Sequence, residues 1–473
     1  MTDSGADPNL PATESGAQTS GSATGNLLIG DLRTTVFHLA LPVLLQQLLS
    51  FGVGFTDTYL SGRISADATS AIGFASYIGW LASLVFGLVS TGTMALVARH
   101  WGANEIDSAN RVTNCSIVLG ALLGLIAAAA IYFGIGLIGP VLGLPGDSAP
   151  IAIRYLQFDA FGQFFTALAL TGAAALRGSG NTKTPMKVLG LMNVINIVVS
   201  FSLVFGWGGL PRLGVDGIVV GTVVARVLSG LLMLAVLLQG SHGLQIAWSQ
   251  LRPHSDAMGR ILNVGIPAAG EGAVMWFGQF CFLMIISRLN VESRSAVFAA
   301  HIVGIEIEAI SYLPAVAWGQ ASAAIIGQSL GARDPHRAGR SGHEAVKQCA
   351  VLGLALSVAF FFGAPAIYRF MNTDPAVAAA GVPAFRVLSF LQIPLMALIV
   401  YTFSLRGAGD TRYPFLFMLI GMACIRLPLG WLFGIYLEGG LIGAWVGMYS
   451  DILLRGAMIV ARYVHGDWIK TRL

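Results

Sequence analysis

From Arg33 onward the chain is a succession of long apolar segments, and this pattern constrains the fold more than any motif does. Twelve segments run near 35–61, 71–98, 112–143, 150–177, 184–208, 214–240, 258–289, 296–326, 341–371, 376–405, 413–437 and 440–464. Each reaches or approaches the roughly 20 residues that carry a helix across a bilayer. Only 11% of the residues are Asp, Glu, Lys or Arg, against about 25% in an average soluble domain. That scarcity argues against a soluble enzyme, a secreted disulfide scaffold and a nucleic-acid-binding domain. The alternating pattern of a β-barrel is absent, and the internal prolines Pro42, Pro267, Pro314, Pro394 and Pro428 suit membrane helices. The chain is expected to be an all-α membrane protein with twelve transmembrane helices.

Residues 1–32 are rich in Ser, Thr, Gly and Ala and lack both the basic start and the apolar run of a signal peptide. They are expected to form a disordered cytosolic tail. Cys115, Cys281, Cys349 and Cys424 are widely spaced in apolar surroundings and read as buried free thiols. With a cytosolic N-terminus, 17 of the 27 Lys and Arg residues fall on the inner side, 6 outside and 4 within spans. The asymmetry places both termini inside.

The second half of the chain repeats the first. Ala175-Leu176-Arg177-Gly178-Ser179-Gly180-Asn181-Thr182 returns as Ser404-Leu405-Arg406-Gly407-Ala408-Gly409-Asp410-Thr411, 229 residues later, and Pro185 and Pro414 follow. Gly102-Ala103 returns as Gly331-Ala332 at the same offset, and Pro42 as Pro267 at an offset of 225. Six spans separate the copies, so the two halves share one topology and an axis along the membrane normal. The expected division is a six-helix lobe over 33–240, a cytosolic linker over 241–257, a second lobe over 258–465 and a short cytosolic tail over 466–473. Two such lobes facing each other across a cavity form a transporter architecture.

The repeated Leu-Arg-Gly-x-Gly-Asn/Asp-Thr followed by Pro resembles the multidrug and toxic compound extrusion (MATE) transporters. Ile326-Gly327-Gln328-Ser329-Leu330-Gly331-Ala332, Phe55-Thr56-Asp57-Thr58 with Gly62, and Ala300-His301 with Ile307-Glu308 resemble further motifs of that family. The resemblance spans about residues 33–465. It implies two six-helix lobes that export organic cations or amphiphilic drugs in exchange for H⁺ or Na⁺. Two features depart from the family pattern. Where one branch has Asn-x-x-x-Asp on the fifth helix, this chain has Asn196 and Ser200. Where another has an Asp on the tenth helix, it offers only Gln392. The coupling ion is therefore open.

Six acids fall inside spans: Asp57, Asp159, Glu271, Glu306, Glu308 and Asp451. A charged residue at a helix centre costs about 2.5–3.5 kcal/mol on insertion scales, so these acids require partners or a wet cavity. Asp57 is the first candidate for ion coupling and substrate binding; its structural alternative is pairing with Arg63 or Arg154. Glu271 is the second, on a face that continues through Met275 and Gln279; its alternative is an interhelical lock. Glu308 shares a face with His301 and Tyr312, whereas Glu306 points about 200° away and reads as a paired structural acid. Asn193, Asn196 and Ser200 form a stripe that suits either Na⁺ coordination near Asp57 or interhelical hydrogen bonds. Asp159 and Gln163 form a similar stripe, expected to face Asp57. Asp451, Arg455 and Arg426 read as a neutralised cluster, His301 as a structural histidine, and Arg177 and Arg406 as loop charges that set topology.

Met275, Gln279, Tyr312 and Gln392, with Asp57 and Glu271, make up the expected substrate contacts. Asp57, Glu271, Glu308, Asn196 and Asp159 make up the expected coupling set. Gly327-Gln328-Ser329-Leu330-Gly331 matches a hydrolase pattern but ends an apolar helix rather than a strand. No P-loop and no HExxH is present. The expected protein is a monomeric bacterial inner-membrane antiporter without cofactor, enzymatic activity or nucleic-acid partner. The rivals are a flippase of lipid-linked or polyanionic substrates on a related two-lobe fold, and a membrane-embedded enzyme.

Overall fold

The computed structural model describes residues 27–138, 148–240, 243–247, 251, 254–291 and 293–471. The first lobe contains α1 (Leu32–Ile64), α2 (Ala66–Gly102), α3 (Ile106–Ile138), α4 (Ser148–Gly178), α5 (Lys183–Phe205) and α6 (Val215–Gln239). The second contains α7 (Ser255–Ser287), α8 (Arg294–Gly331), α9 (Pro335–Met371), α10 (Pro375–Ser389), α11 (Gln392–Gly407), α12 (Arg412–Tyr436) and α13 (Gly440–His465). Ten of these helices are long and apolar enough to cross a membrane, and α10 and α11 together form an eleventh span, bent by 58°. The twelfth is α4, which carries Arg154, Asp159 and Gln163. Bulky residues such as Phe133, Leu137 and Phe362 are exposed on the outer faces, as lipid contact requires.

Short polar residues cap several helices. Asp31 caps α1, its Oδ2 accepting from the Thr34 backbone N–H at 3.0 Å. That hydrogen bond holds the Asp31 carboxyl below the usual carboxylate range. Asp334 and Asp374 cap α9 and α10, each with a proline in the first turn.

The tenth span was expected to be continuous over 376–405, but it breaks at Phe390–Leu391. Pro394 offers no N–H to the carbonyl four residues back and its ring crowds that carbonyl, which belongs to Phe390. In α12, which contains Pro428, two turns widen to π-helix, at Gly421–Arg426 and Leu432–Tyr436. The disordered tail expected over 1–32 does not include 27–32, which are ordered. Residues 1–26 lie outside the described residues, but Leu27 is buried and Leu32 begins α1. Arg337 Nε donates to the Leu27 carbonyl at 3.0 Å. Parts of the expected linker lie outside the described residues too, and its last residues already belong to α7. The tail over 466–473 contains a short 3₁₀ turn, Asp467–Lys470, that buries Trp468. Cys115 and Cys349 are buried, whereas Cys424 is exposed.

The repeat is visible as symmetry. Gly180 and Gly409 occupy matching elbows with φ of 93° and 89°, a left-handed conformation that only glycine adopts without strain. Where α2 crosses α8, a Cβ on Gly102 would collide with the Gln328 backbone, and one on Gly331 would collide with the Arg99 carbonyl. These are one contact seen twice, since Gly102 matches Gly331 and Arg99 matches Gln328 at the 229-residue offset. Gly92 likewise abuts Ile261 on α7, while Val36 and Ala321 share a cluster where α1 meets α8. These approaches lie along the C-terminal half of α2, on the side where α1 begins and α13 ends. The lobes are thus sealed together on the terminal side.

Candidate functional site

Asp57, Asp159, Asn193 and Asn196 come together in a cavity of about 590 Å³ inside the first lobe, lined by α1, α2, α4, α5 and α6. The volume lies within the roughly 300–1,000 Å³ typical of small-molecule sites. Arg226 on α6 reaches into it and pairs with Asp159, Nη1 to Oδ1, at 2.6 Å. Gln163 Nε2 donates to the other Asp159 oxygen, also at 2.6 Å. Asp159 is therefore neutralised by Arg226 on one oxygen and hydrogen-bonded on the other. Asp57 is not. Its Oδ1 is closed off from solvent and has no hydrogen-bond partner. The partners considered for it are engaged elsewhere: Arg154 pairs with Asp216 at 2.6 Å, and Arg63 lies over the Tyr59 ring.

Asn193 donates to Ser50 at 2.9 Å and Asn196 to Thr222 at 3.1 Å. The Asn196 Oδ1 is left without a partner, like Asp57 Oδ1. Ser200, the third residue of the stripe, is fully buried and lies outside the cavity lining. This cavity thus offers two unsatisfied oxygen acceptors beside an internally paired Asp–Arg couple. Oxygen acceptors of this kind suit a proton or a hard cation. No group of three or more His, Cys, Asp or Glu residues that could hold a metal ion occurs among the described residues.

Glu271 lies in a different place. With Met275 and Tyr312 it lines a cavity of about 310 Å³ in the second lobe. Its Oε2 is held by Arg406 Nη2 at 2.7 Å, and Arg406 also stacks over Phe403. Arg406 is therefore a cavity residue and not the loop charge expected from the sequence. The same holds for its repeat counterpart Arg177, which is buried and donates to Gln46 Oε1 at 2.6 Å. Both arginines line a third cavity, of about 270 Å³, between the lobes. The three cavities meet along α2. Trp80 and Ser83 line both lobe cavities, and Ser83, Gly87 and Thr91 continue into the central one. Trp80 also stacks on Trp276 of α7, with ring centroids 6.3 Å apart.

Two expected substrate contacts are corrected. Gln392 is fully buried and lines none of these cavities. It accepts from Ser311 at 2.5 Å and donates to the Leu388 carbonyl, beside the break, at 3.2 Å. Gln279 turns from the Glu271 face to Arg426, accepting at 3.2 Å. Glu308 is buried near Arg426 but outside the three cavities. Glu306 is exposed and has no ion pair among the described residues, contrary to the paired role expected for it. Asp451 is held by Arg426 at 2.8 Å and Arg455 at 3.2 Å. His301 accepts from the Trp445 indole at 3.0 Å. The residues missed from sequence are Arg226, Arg406 and Trp80. Of these, only the arginines carried a signal, as charges inside or beside apolar segments.

The MatE family model matches twice, at residues 42–202 and 267–432, so it finds each lobe separately. The chain belongs to the MatE family. It is an integral membrane transporter and not an enzyme. A probable multidrug resistance protein NorM of Thermotoga maritima is 28% identical, over 93% of this chain and 94% of its own. An uncharacterized transporter, YisQ, of Bacillus subtilis is 26% identical, over 93% of this chain and 96% of its own. Among solved structures, an outward-facing multidrug resistance MATE transporter superposes with a TM-score of 0.87 at 19% identity, covering 94% of this chain and 98% of the other. A Pyrococcus furiosus transporter described as having a binding pocket of reverse polarity superposes equally well, at 0.87 and 18% identity, over 94% and 98% of the two chains. These likenesses bear out the twelve-helix, two-lobe fold.

Proposed function

We propose that this MatE chain is a multidrug efflux antiporter that exports cationic or amphiphilic small molecules in exchange for H⁺ or Na⁺. The observation that carries this reading is the unpartnered, solvent-shielded Oδ1 of Asp57 in a cavity whose other acid is already neutralised. A carboxylate placed in this way favours a proton, a metal cation or an organic cation, and these compete for it. Binding of the coupling ion at Asp57, with Asn196 beside it, weakens the hold on a cationic substrate and releases it on the side away from the chain ends. The lobes then rock to the opposite arrangement, the ion leaves, and the charge is restored. Met275, Tyr312 and Glu271 give the second lobe a soft apolar wall with one paired acid, which suits amphiphiles that repack against methionine. The Lys and Arg asymmetry supports a cytosolic position for both ends, with residues 33–240 and 258–465 as the moving bodies in a bacterial inner membrane. Each chain contains both lobes and all three cavities, which supports a monomeric unit.

A second reading has its own support. Arg406 and Arg455 line the cavity in the second lobe, and a polyanionic head group would exploit them if Glu271 and Asp451 released them. Transport of a fluorescent cation into proteoliposomes, under a pH gradient and a Na⁺ gradient applied separately, distinguishes the readings. Cation movement driven by either gradient and lost in Asp57→Asn supports the antiporter. Undiminished movement in that variant removes Asp57 from coupling, and no cation movement under either gradient favours the polyanion reading.

A further inference from the structure

α9 contains 37 residues, about 55 Å at 1.5 Å per residue, well beyond the roughly 30 Å of a bilayer's hydrocarbon core. Its first turns therefore project past the hydrocarbon on the side of the chain ends. One stripe of this helix runs through Arg340, Glu344 and Lys347 and continues as Val351, Leu354 and Val358, which are 69%, 56% and 51% exposed. The change from charged to bare apolar residues marks the boundary between head groups and acyl chains. Beside that boundary the first lobe's α1 meets the second lobe's α9. Two adjoining crevices open there, sharing Asp31 and Arg33. The apolar one, about 620 Å³, has walls of Phe37, Trp318, Val351 and Leu352. The polar one, about 380 Å³, contains Arg33, Arg340, His343 and Lys347 together with the acids Asp31 and Glu344.

The charges in this groove are unequally satisfied. Asp31 is occupied by its cap to Thr34. Glu344 accepts from Gln348, which also donates to the Arg33 carbonyl. His343 is engaged with Tyr401 at 2.8 Å. The side chains of Arg33, Arg340 and Lys347 make no ion pair among the described residues, although Arg226, Arg406, Arg426, Arg455 and Arg462 all do.

We infer that this seam is a binding site for an anionic phospholipid of the leaflet nearest the chain ends. Its phosphate sits among Arg33, Arg340 and Lys347, and one acyl chain lies along Phe37, Val351 and Leu352. The continuity of basic and apolar surfaces is what selects a lipid over a soluble anion: each crevice alone fits half of the molecule. Because α1 and α9 belong to different lobes, the groove is complete only while the lobes are together on this side. An occupant therefore stabilises the arrangement sealed at the chain ends.

The test uses the full chain in detergent and native mass spectrometry of lipid adducts. Phosphatidylglycerol is titrated against phosphatidylcholine with identical acyl chains, and glycerol 3-phosphate serves as the free head group. The wild type is expected to retain one phosphatidylglycerol where phosphatidylcholine is not retained. The triple variant R33Q/R340Q/K347Q should weaken that adduct on the order of tenfold to a hundredfold, given about 1 kcal/mol per basic residue near a membrane surface. A control triple, R111Q/K183Q/K187Q, should leave it unchanged. Leu352→Trp, which fills the apolar crevice without touching a charge, should also weaken it and keeps the test decisive if the triple variant folds poorly. Equal retention of the two lipids, wild-type retention in both crevice variants, or displacement of the lipid by glycerol 3-phosphate alone would overturn the inference.

Discussion

Arg226 and Arg455 stand at the same position of the two repeats, 229 residues apart, yet they grip acids on different elements. Arg226 crosses from α6 to Asp159 on α4 at 2.6 Å. Arg455 turns back along α13 to Asp451, four residues earlier, at 3.2 Å, and Arg426 of α12 holds the same carboxylate. The first arginine therefore ties two helices around a cavity that also contains an unpaired acid. The second is part of a packed cluster with two cations on one anion. The repeat preserved the arginine and moved the acid, and this gives the two cavities different electrostatics on one scaffold.

The Arg226–Asp159 pair should reveal itself by non-additivity. Arg226→Ala leaves Asp159 buried with only Gln163. The loss is expected to be about 2 kcal/mol, below the roughly 3–5 kcal/mol of a fully enclosed pair because the guanidinium is partly exposed. The double variant D159N/R226Q removes both charges and should recover much of that loss. Thermal unfolding in detergent measures both. Equal destabilisation by the single and double variants would show that the pair is not coupled.

Asp57→Asn should separate folding from coupling. The Oδ1 of Asp57 has no hydrogen bond to lose, and an amide is cheaper to bury than a carboxylate. The variant is expected to unfold at or above the wild-type temperature while losing ion-driven export. A marked drop in Tm would mean that the carboxylate has a structural partner and would remove the simplest account of its exposure to the cavity.

The contrast between these residues shows what was legible in the sequence. Apolar length gave the spans, and the Leu-Arg-Gly-x-Gly elbows gave the two-fold repeat, because both are local patterns that survive without tertiary information. Asp159 was placed opposite Asp57 from its stripe on α4, and the two line one cavity. Arg406 was read as a topology charge, and Arg226 was counted within a span without a partner. Positive-inside counting treats arginine as a surface residue, and nothing in linear spacing says that α6 turns its arginine toward α4 or that α11 turns its last arginine toward α7. Gln392 was misread for the opposite reason. A polar residue in a span suggested a ligand contact, but its amide is used locally, between the Ser311 hydroxyl and the Leu388 carbonyl beside the break.

Asp410 supplies a pH-dependent signature outside the spans. Burial pushes its carboxyl above the usual carboxylate range, although the hydrogen bond from Arg462 at 2.9 Å opposes the shift. A carboxyl whose folded value lies above its unfolded value binds more protons in the folded state, so stability falls as pH rises through that folded value. Its repeat counterpart is the neutral Asn181. Arg462 would keep the Tyr413 ring at 3.8 Å and Asp467 at 3.7 Å. Asp410→Asn should therefore flatten this part of the pH profile of Tm and cost little at neutral pH. A profile unchanged by the substitution would place the pH dependence in another group.

The crossing of α2 and α8 gives the prediction most closely tied to the symmetry. Gly102 and Gly331 each press against the other helix's backbone, where an added Cβ finds no room. In a two-state transporter, a clash confined to one arrangement shifts the population toward the other. Gly102→Ala and Gly331→Ala should each open the seal on the terminal side, and to a similar extent because they disturb one contact from its two ends. Gly259, at the start of α7, meets nothing within 4 Å, so Gly259→Ala should leave the distribution unchanged. Spin labels on the terminal ends of α2 and α8 would report the separation directly. Opposite responses of the two variants would break the symmetry argument, and no response from either would mean that the helices slide apart without cost in the closed state. The expected result is matched widening in both variants and none in the control, since the same backbone surface closes the lobes from each side.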